Sequence, residues 1–316
     1  MSHLVAIVGP TAIGKSKLAI RLAQIFDGEI VSADSRQVYR YMDIGTAKPS
    51  SEERALVSHH LIDVVDPDED FSLARYQEMA YEAVSDIQRR GKLALLVGGS
   101  GLYVMAVIGG WHIPRVAPDP QLRHNLEARA AREGHMALYQ ELKQVDPDAA
   151  RRIDPRNLRR LIRALEVCRI SGMPFSQLQR SKPFFRTLVI GLTTARDDIY
   201  RKIDSRVDWM MERGLVQEVE GLIKRGYSLD LPSMSGLGYK QIGLYLQGRI
   251  DLPQAVQQIK FETHRFARHQ YAWFRLKDER IHWFDIRDDI EAPIRNLIHE
   301  FASSDLGRKR MKNEIR

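Results

Sequence analysis

The chain has 316 residues, of which 44% are hydrophobic, and it carries a formal net charge of +7. This apolar fraction is typical of a globular protein and not of a disordered one, and the single cysteine, Cys168, excludes an intramolecular disulfide. No apolar run approaches the roughly 18 residues that a membrane-spanning helix needs. We therefore expect a cytoplasmic protein with no signal peptide and no membrane partner. We also expect a monomer, although composition does not determine the oligomeric state.

The first predicted element, a buried strand at Leu4–Val8, leads into the pattern G-x-x-x-x-G-K-S, and a helical pattern follows. A strand and a helix on either side are the context of a phosphate-binding loop, in which glycines let successive N–H groups point at one anion. Lysine adds a positive charge, and the serine hydroxyl can ligate Mg²⁺. We predict a diphosphate or nucleotide site at Gly9, Pro10, Thr11, Ala12, Ile13, Gly14, Lys15 and Ser16, with Ser16 as the metal ligand.

Strands and helices continue to alternate after this loop. Apolar runs predict strands at Glu29–Asp34, His60–Val65 and Leu93–Val97, and a helix capped by Ser72 runs to about Gly91. This alternation predicts an α/β fold, a P-loop core with a parallel sheet flanked by helices, whose ligands bind beyond the carboxyl ends of the strands.

A helical insertion is predicted at residues 115–186, after three prolines that mark a boundary. Asp119-Pro120, Asp146-Pro147 and Asp154-Pro155 each resemble a helix start. From Asp119 to Arg186 there are 14 Arg and Lys against eight Asp and Glu, a net charge of +6. This excess indicates a polyanionic partner, although a basic face that only promotes solubility is the alternative.

The chain then returns to the core, which we assign to residues 1–114 and 187–303. Thr187–Leu192 and Ile281–Asp285 are predicted strands, and helices occupy most of residues 196–277. In the last of these helices cations alternate with aromatic residues, most of which we expect to lie in the core. Residues 304–316 read as a basic, disordered tail.

Two polar side chains follow strands that should end at the same edge as the phosphate loop. Asp34 follows the second strand and could bind Mg²⁺ or act as a general base, and Ser100 follows the Leu93–Val97 strand. No apolar run ends in the Asp that typical ATPases and GTPases use to hold metal and water. The loop could therefore hold a leaving diphosphate without a nucleotide.

The motifs together resemble one family, the tRNA dimethylallyltransferases. The resemblance rests on the loop and on the run from Asp34 to Tyr39, which continues through Met42–Pro49. It extends to Val97–Tyr103, Arg163–Val167, Arg206, Gly236–Gln241 and Trp273–Arg275.

The resemblance implies transfer of a dimethylallyl group from dimethylallyl diphosphate to the exocyclic amine of adenosine 37, next to the anticodon of tRNA. It implies catalytic roles for Asp34 as general base, for Ser100 and for Arg206 as a diphosphate contact. It also implies tRNA contacts at Asp34, Ser35, Arg36, Gln37, Ser100, Arg123, Arg159, Arg160, Leu161, Ile162, Arg163, Gly238, Tyr239 and Lys240.

Three alternatives stay open from the sequence. The first is a P-loop kinase acting on a nucleoside or nucleotide, with Asp34 as the base. The second is an RNA-binding module that binds nucleotide without catalysis. The third is a prenyltransferase for free adenine nucleotides, which would have little use for a basic insertion.

Overall fold

The computed structural model of the chain describes residues 3–114, 116–178 and 181–313, with side chains as far as residue 303. The chain forms two compact units. The core unit comprises Met1–Ile108 with Phe185–Arg316, and the insertion unit is Gly109–Phe184. The predicted insertion began at 115 and ended at 186, so the unit found here begins and ends somewhat earlier.

Within the described residues, six strands form one parallel sheet in the order β3-β2-β4-β1-β5-β6. The strand β1, which precedes the phosphate loop, is central and fully covered, as the apolar run at residues 4–8 requires. The strands are β1 (His3–Val8), β2 (Gly28–Ser32), β3 (His59–His60), β4 (Leu93–Val97), β5 (Arg186–Thr193) and β6 (Ile281–Asp285).

Helices cover this sheet in the core unit and make up most of the insertion unit. In chain order they are α1 (Lys15–Ile25), α2 (Ser51–Leu56), α3 (Leu73–Arg89), α4 (Gly101–Ile108), α5 (Pro120–Glu133), α6 (His135–Val145), α7 (Pro147–Arg152), α8 (Leu158–Ser171), α9 (Phe175–Leu178), α10 (Arg196–Glu212), α11 (Leu215–Lys224), α12 (Tyr239–Leu246), α13 (Leu252–Trp273) and α14 (Glu291–Asn313). None of the helices in the described ranges combines the length and apolar character that crossing a bilayer requires.

The predicted α/β fold class is confirmed, as are most of the strands. One strand is much shorter than predicted: of His60–Val65, only His60 belongs to β3. The reason is local, because Leu61 and Asp63 have left-handed backbones, with φ of 63° and 57°, which an extended strand cannot contain.

Two of the three predicted Asp-Pro helix starts are confirmed. Asp119 caps α5 and Asp146 caps α7, each accepting a hydrogen bond from the backbone three residues on. The third prediction, at Asp154-Pro155, is wrong. Asp154 accepts from the backbone and guanidinium of Arg156 instead, and Asn157 caps α8.

The end of the chain contains the segment predicted to be a basic, disordered tail. The backbone of α14 continues through residue 313, and disorder of the tail stays a prediction. The segment after residue 303 contains no proline and several good helix formers, so a helix already begun at Glu291 can propagate without a new nucleation step. Residues 314–316 lie outside the described residues.

The expectation for the aromatic residues at and just after the end of α13 and along that helix is mostly wrong. Phe274 is buried at the end of α13, but Phe261, Phe266 and Trp273 are 61%, 43% and 41% exposed. Buried positions of this helix are held instead by small or polar residues such as Thr263, Ala267 and Gln270.

Candidate active site

The phosphate loop has a backbone that only its particular residues permit. Gly9 has a φ of 141°, and a Cβ there would lie 2.5 Å from the carbonyl oxygen of Leu192 on β5. Ala12 and Gly14 also have positive φ values, of 62° and 96°. Gly14 is the N-cap of α1 and has no side chain to accept from the first turn, so the N–H groups there remain for an anion.

Two cations accompany this loop. The Lys15 Nζ donates to the carbonyl oxygen of Pro10 at 2.7 Å, and the Arg206 Nη2, from α10, donates to the Thr11 Oγ1 at 2.7 Å. Among the described residues, no carboxylate forms an ion pair with either cation, and the buried Arg206 Nε has no hydrogen-bond partner. Burial, reinforced by the charge of Arg206, lowers the pKa of Lys15 to about 7 despite an opposing effect of Asp34. The loop therefore carries positive charge that no ion pair among the described residues neutralises, which favours the binding of an anion.

The sequence analysis missed one residue that ties this loop to the next strand. Gln270 on α13 accepts from the Thr11 backbone N–H at 2.8 Å and donates to the carbonyl oxygen of Gly99 at 2.9 Å. The side chain is almost completely buried. A signal was available, because Gln270 lies at helical spacing from Ala267 and Phe274, so it is a polar residue in a buried stripe.

The ends of β2 and β4 are joined just beyond the sheet. The Ser100 Oγ accepts from the Ser35 backbone N–H at 3.0 Å and lies 3.3 Å from the Ser35 Oγ. The Ser100 N–H donates to the carbonyl oxygen of Ala33 at 3.2 Å. A Cβ on Gly98 would lie 2.1 Å from that same oxygen, so only glycine allows the two strand ends to approach this closely.

Asp34 is half-buried at this junction. Its Oδ1 accepts from the Arg36 backbone N–H at 2.9 Å, which fixes the orientation of the carboxylate. The negative charge of Asp34 raises the pKa values of Lys15 and Arg206, opposing their burial, so the carboxylate lies near both cations. The structure thus brings together three predicted groups: Asp34, Ser100 and the phosphate loop with Arg206.

In the part of the chain that the structure describes, only one protein group, the Ser16 hydroxyl, is a predicted ligand of the Mg²⁺ site. Ser16 is exposed at the first turn of α1. Among the described residues, no group of three or more His, Cys, Asp or Glu side chains is arranged to hold a metal ion. Any cation at Ser16 would therefore take most of its ligands from substrate oxygens and water, which is the coordination that Mg²⁺ prefers at phosphate sites.

Two predicted tRNA contacts after β2 already have partners in the protein. The Arg36 guanidinium donates to the carbonyl oxygens of Pro232 and Ser233 and to the Ser235 Oγ at 2.8–3.2 Å. Gln37 accepts from the Ser32 Oγ at 3.0 Å. It also donates to two carbonyl oxygens of the following loop.

The residues of α8 that were predicted to contact tRNA lie on different faces of the helix. Arg159 and Arg160 are exposed, but Leu161 and Ile162 are buried in the core of the unit. The Leu161 and Ile162 side chains therefore face the core of the unit, because a consecutive run on a helix cannot all face one side, and a tRNA contact at these two residues stays a prediction. Arg163 donates to the fully buried Glu166 and to the carbonyl oxygen of Val116.

Arg123 also binds Glu166, through two hydrogen bonds of 2.7 and 2.9 Å. Burial alone would raise the pKa of Glu166, but the hydrogen bonds from Arg123 and Arg163 outweigh it and hold the pKa at about 2. Arg123 therefore has a structural partner in this unit, which residue type alone did not reveal.

The residues at the start of α12 that were predicted to contact tRNA also differ in exposure. Lys240 is exposed, whereas Gly238 and Tyr239 are buried. The Gly238 N–H donates to Gln241, and the Tyr239 hydroxyl donates to Glu218. The Tyr239 side chain therefore has a partner inside the protein, and a tRNA contact at this residue stays a prediction.

Comparison with known proteins identifies similar sequences and structures. The model of the IPP transferase family matches residues 37–277. A tRNA dimethylallyltransferase from Roseiflexus castenholzii is 60% identical over 277 residues, which are 87% of this chain and 90% of that protein. Another, from Herpetosiphon aurantiacus, is 52% identical over 296 residues, or 93% of this chain and 94% of that protein.

Solved structures agree with these sequence matches. A tRNA isopentenylpyrophosphate transferase from Bacillus halodurans superimposes with a TM-score of 0.72 at 42% identity, covering 99% of this chain and 100% of that one. A eukaryotic dimethylallyltransferase acting on tRNA gives a TM-score of 0.80 at 27% identity, covering 96% of this chain and 80% of that one.

Proposed function

The chain belongs to the IPP transferase family of tRNA dimethylallyltransferases, and we propose that it alkylates the exocyclic amine of the adenosine at position 37, next to the anticodon of tRNA. The proposed donor is dimethylallyl diphosphate. The observation that carries the proposal is the pair of cations, Lys15 and Arg206, that have no carboxylate partner among the described residues. They lie at the phosphate loop, close enough to Asp34 for its charge to affect their pKa values.

The diphosphate is the leaving group of this reaction. Its negative charge grows as the carbon–oxygen bond breaks, and the N–H groups of the loop, Lys15 and Arg206 are positioned to stabilise that charge. The Ser16 hydroxyl would hold Mg²⁺ together with diphosphate oxygens and water. The ion would supply further neutralisation of the leaving group.

The nucleophile is the adenine amine, which is weak because its lone pair is delocalised into the ring. As its nitrogen forms the new bond to carbon, a proton must leave, and the Asp34 carboxylate accepts it. The orientation of the Asp34 carboxylate is fixed by the Arg36 backbone N–H, which donates to Oδ1. The Ser100 hydroxyl holds the turn that bears Asp34, through the Ser35 backbone. The target base must leave the stack of the anticodon loop to reach these groups.

Exposed cations are the proposed contacts to tRNA phosphates. Arg159 and Arg160 on α8 and Lys240 on α12 are exposed in their respective units and have no ion-pair partner among the described residues. We further propose a cytoplasmic location, since tRNA is found there, and a monomer stays a prediction from the sequence.

The test is an alkylation assay. The protein is incubated with Mg²⁺, dimethylallyl diphosphate and unmodified tRNA, and the digested nucleosides are identified by mass. Parallel arms replace the donor with ATP, or the tRNA with free adenine nucleotide. We expect dimethylallyladenosine to form in the arm that contains both tRNA and dimethylallyl diphosphate, and in neither of the parallel arms. Phosphate transfer from ATP with unaltered tRNA would instead support the kinase alternative.

The role of Asp34 is tested by Asp34→Asn. We expect turnover to fall by about 10²–10⁴-fold, the usual contribution of a general base, while tRNA affinity stays near that of the unmodified protein. Asp68→Asn is the matched control, since Asp68 is exposed and the change in charge is the same. Turnover of Asp34→Asn equal to that of the control would exclude Asp34 as the base.

A further inference from the structure

The carboxylate of Glu218 on α11 accepts four hydrogen bonds in the core unit. Three come from consecutive backbone N–H groups: Asp43 and Ile44 donate to Oε2 at 2.9 and 2.7 Å, and Gly45 donates to Oε1 at 3.1 Å. The fourth comes from the Tyr239 hydroxyl, which donates to Oε1 at 2.5 Å. Three successive N–H groups around one oxyanion form an anion-binding concavity, and here the anion is supplied by the protein.

This carboxylate fixes the loop that supports Gln37. The loop continues from Gly45 into Thr46 and Ala47, whose carbonyl oxygens both accept from the Gln37 Nε2 at 3.3 Å. The Gln37 Oε1 accepts from Ser32, at the end of β2. A short path of hydrogen bonds therefore runs from Glu218 through the loop to Gln37, three residues after Asp34.

The same carboxylate fixes the start of α12. Tyr239 is the first residue of that helix, and Lys240 follows it on the surface. The Tyr239 ring packs against Gly45 so closely that a Cβ there would lie 2.5 Å from the ring. Glu218 thus holds two segments against each other, the loop after β2 and the first turn of α12.

We infer that Glu218 is a positioning residue for tRNA, which sets Gln37 and Lys240 in one arrangement without touching the substrate. The inference rests on the proposed function, because Gln37 and Lys240 are proposed tRNA contacts. It assigns to Glu218 an effect on tRNA affinity and not on diphosphate affinity, since Lys15, Arg206 and Gln270 hold the phosphate loop by separate contacts.

The chemistry of the site requires a carboxylate. Each oxygen accepts two hydrogen bonds, so in Glu218→Gln the new amide nitrogen, which is a donor, would face either the Asp43 and Ile44 N–H groups or the Gly45 N–H and the Tyr239 hydroxyl. The hydroxyl can rotate to accept but a backbone N–H cannot, so at least one backbone N–H would lose its acceptor. A neutral side chain of nearly identical shape would therefore release the loop without leaving a cavity.

The experiment compares steady-state kinetics of Glu218→Gln and Glu220→Gln, a matched change on the same helix at a residue outside this network. For Glu218→Gln we expect the KM for tRNA to rise by about tenfold to 100-fold, the effect of losing hydrogen bonds to a charged acceptor. The KM for dimethylallyl diphosphate should stay within about twofold, as should kcat at saturating tRNA. Tyr239→Phe removes one of the four bonds and should raise the KM for tRNA by a smaller factor, which tests the inference even if Glu218→Gln does not fold.

A double-mutant cycle separates positioning from general stability. Gln37→Ala should raise the KM for tRNA in the unaltered background but add little in the Glu218→Gln background, because the two residues act through one loop. Fully additive effects, or an unchanged KM for tRNA in both Glu218→Gln and Tyr239→Phe, would overturn the inference. A failure of the unaltered protein to alkylate tRNA would overturn the proposed function instead, so the two failures are distinguishable.

Discussion

Two pairs of half-buried cations, one in each unit, have opposite electrostatic surroundings. In the insertion unit, Arg123 and Arg163 share the fully buried carboxylate of Glu166. In the core unit, Lys15 and Arg206 donate to neutral oxygens of the phosphate loop and form no ion pair with any described carboxylate. Buried charges are normally paired. The comparison therefore separates cations that serve the fold, whose counter-charge is built in, from cations whose counter-charge, in the function we propose, arrives with the substrate.

The largest expected effect is at Arg206. Arg206→Met keeps the apolar stem but removes the charge, and we expect kcat to fall by about 10²–10³-fold, as when one donor to a developing oxyanion is lost. The melting temperature should not fall, since the variant removes a desolvated cation that has no carboxylate partner among the described residues. Kinetics and thermal unfolding of the same preparation check both statements. An active variant with a lowered melting temperature would show instead that Arg206 stabilises the fold and is not needed for catalysis.

The opposite outcome is expected at Arg123. Arg123→Met leaves Glu166 with Arg163 and the Asp119 N–H, so the loss should be about 2–3 kcal/mol, below the 3–5 kcal/mol typical of a fully broken buried pair. Chemical denaturation measures this loss, and kcat of the folded fraction should be nearly unchanged. Arg132→Met, an exposed position on the same helix, is the control. Equal stability of the two variants would contradict a structural role for Arg123.

The smallest expected effect concerns pH. The pKa of Lys15 is lowered to about 7 in the free protein, and a bound polyanion favours the charged amine and so raises that pKa. Binding therefore takes up a proton above pH 7, and diphosphate affinity should fall as pH rises from about 7 to 9, by at most about tenfold per unit. Calorimetry in buffers of different ionisation enthalpy measures the uptake. Lys15→Arg stays charged and should therefore lack this component of the proton uptake. Equal proton uptake by the variant and the unaltered protein would contradict the prediction that Lys15 is the group that takes up the proton.

Local patterns were sufficient for the parts of the fold that local forces determine. The buried runs at β1 and β4 are continuous apolar stretches, and a strand covered on both faces needs nothing else. The phosphate loop could be located for the same reason, since its glycines, lysine and serine are consecutive in the sequence. Asp34 and Ser100 followed because parallel strands end at one edge.

The remaining features depend on contacts between residues far apart in the chain. Gln270 binds Thr11 across 259 positions, and Glu218 binds Ile44 across 174. Each is a single polar residue in an ordinary helix, and nothing nearby in the sequence indicates its partner. The burial of Tyr239 has the same origin, because it depends on Glu218 and Gly45. The two left-handed residues that end β3 early are likewise not glycines, so their backbone conformation has no compositional signal.

The bridge from Gln270 to both Thr11 and Gly99 also limits how the protein can evolve. A Cβ at position 99 would lie 2.2 Å from the Gln270 amide nitrogen, so any other residue there must displace an amide that is held at both ends. Replacing Gln270 first removes the obstacle but leaves the Thr11 N–H without its acceptor. Neither single substitution is neutral, and a change at both positions still leaves the Thr11 N–H without its acceptor, so random mutagenesis should recover few active variants at Gly99 or Gln270.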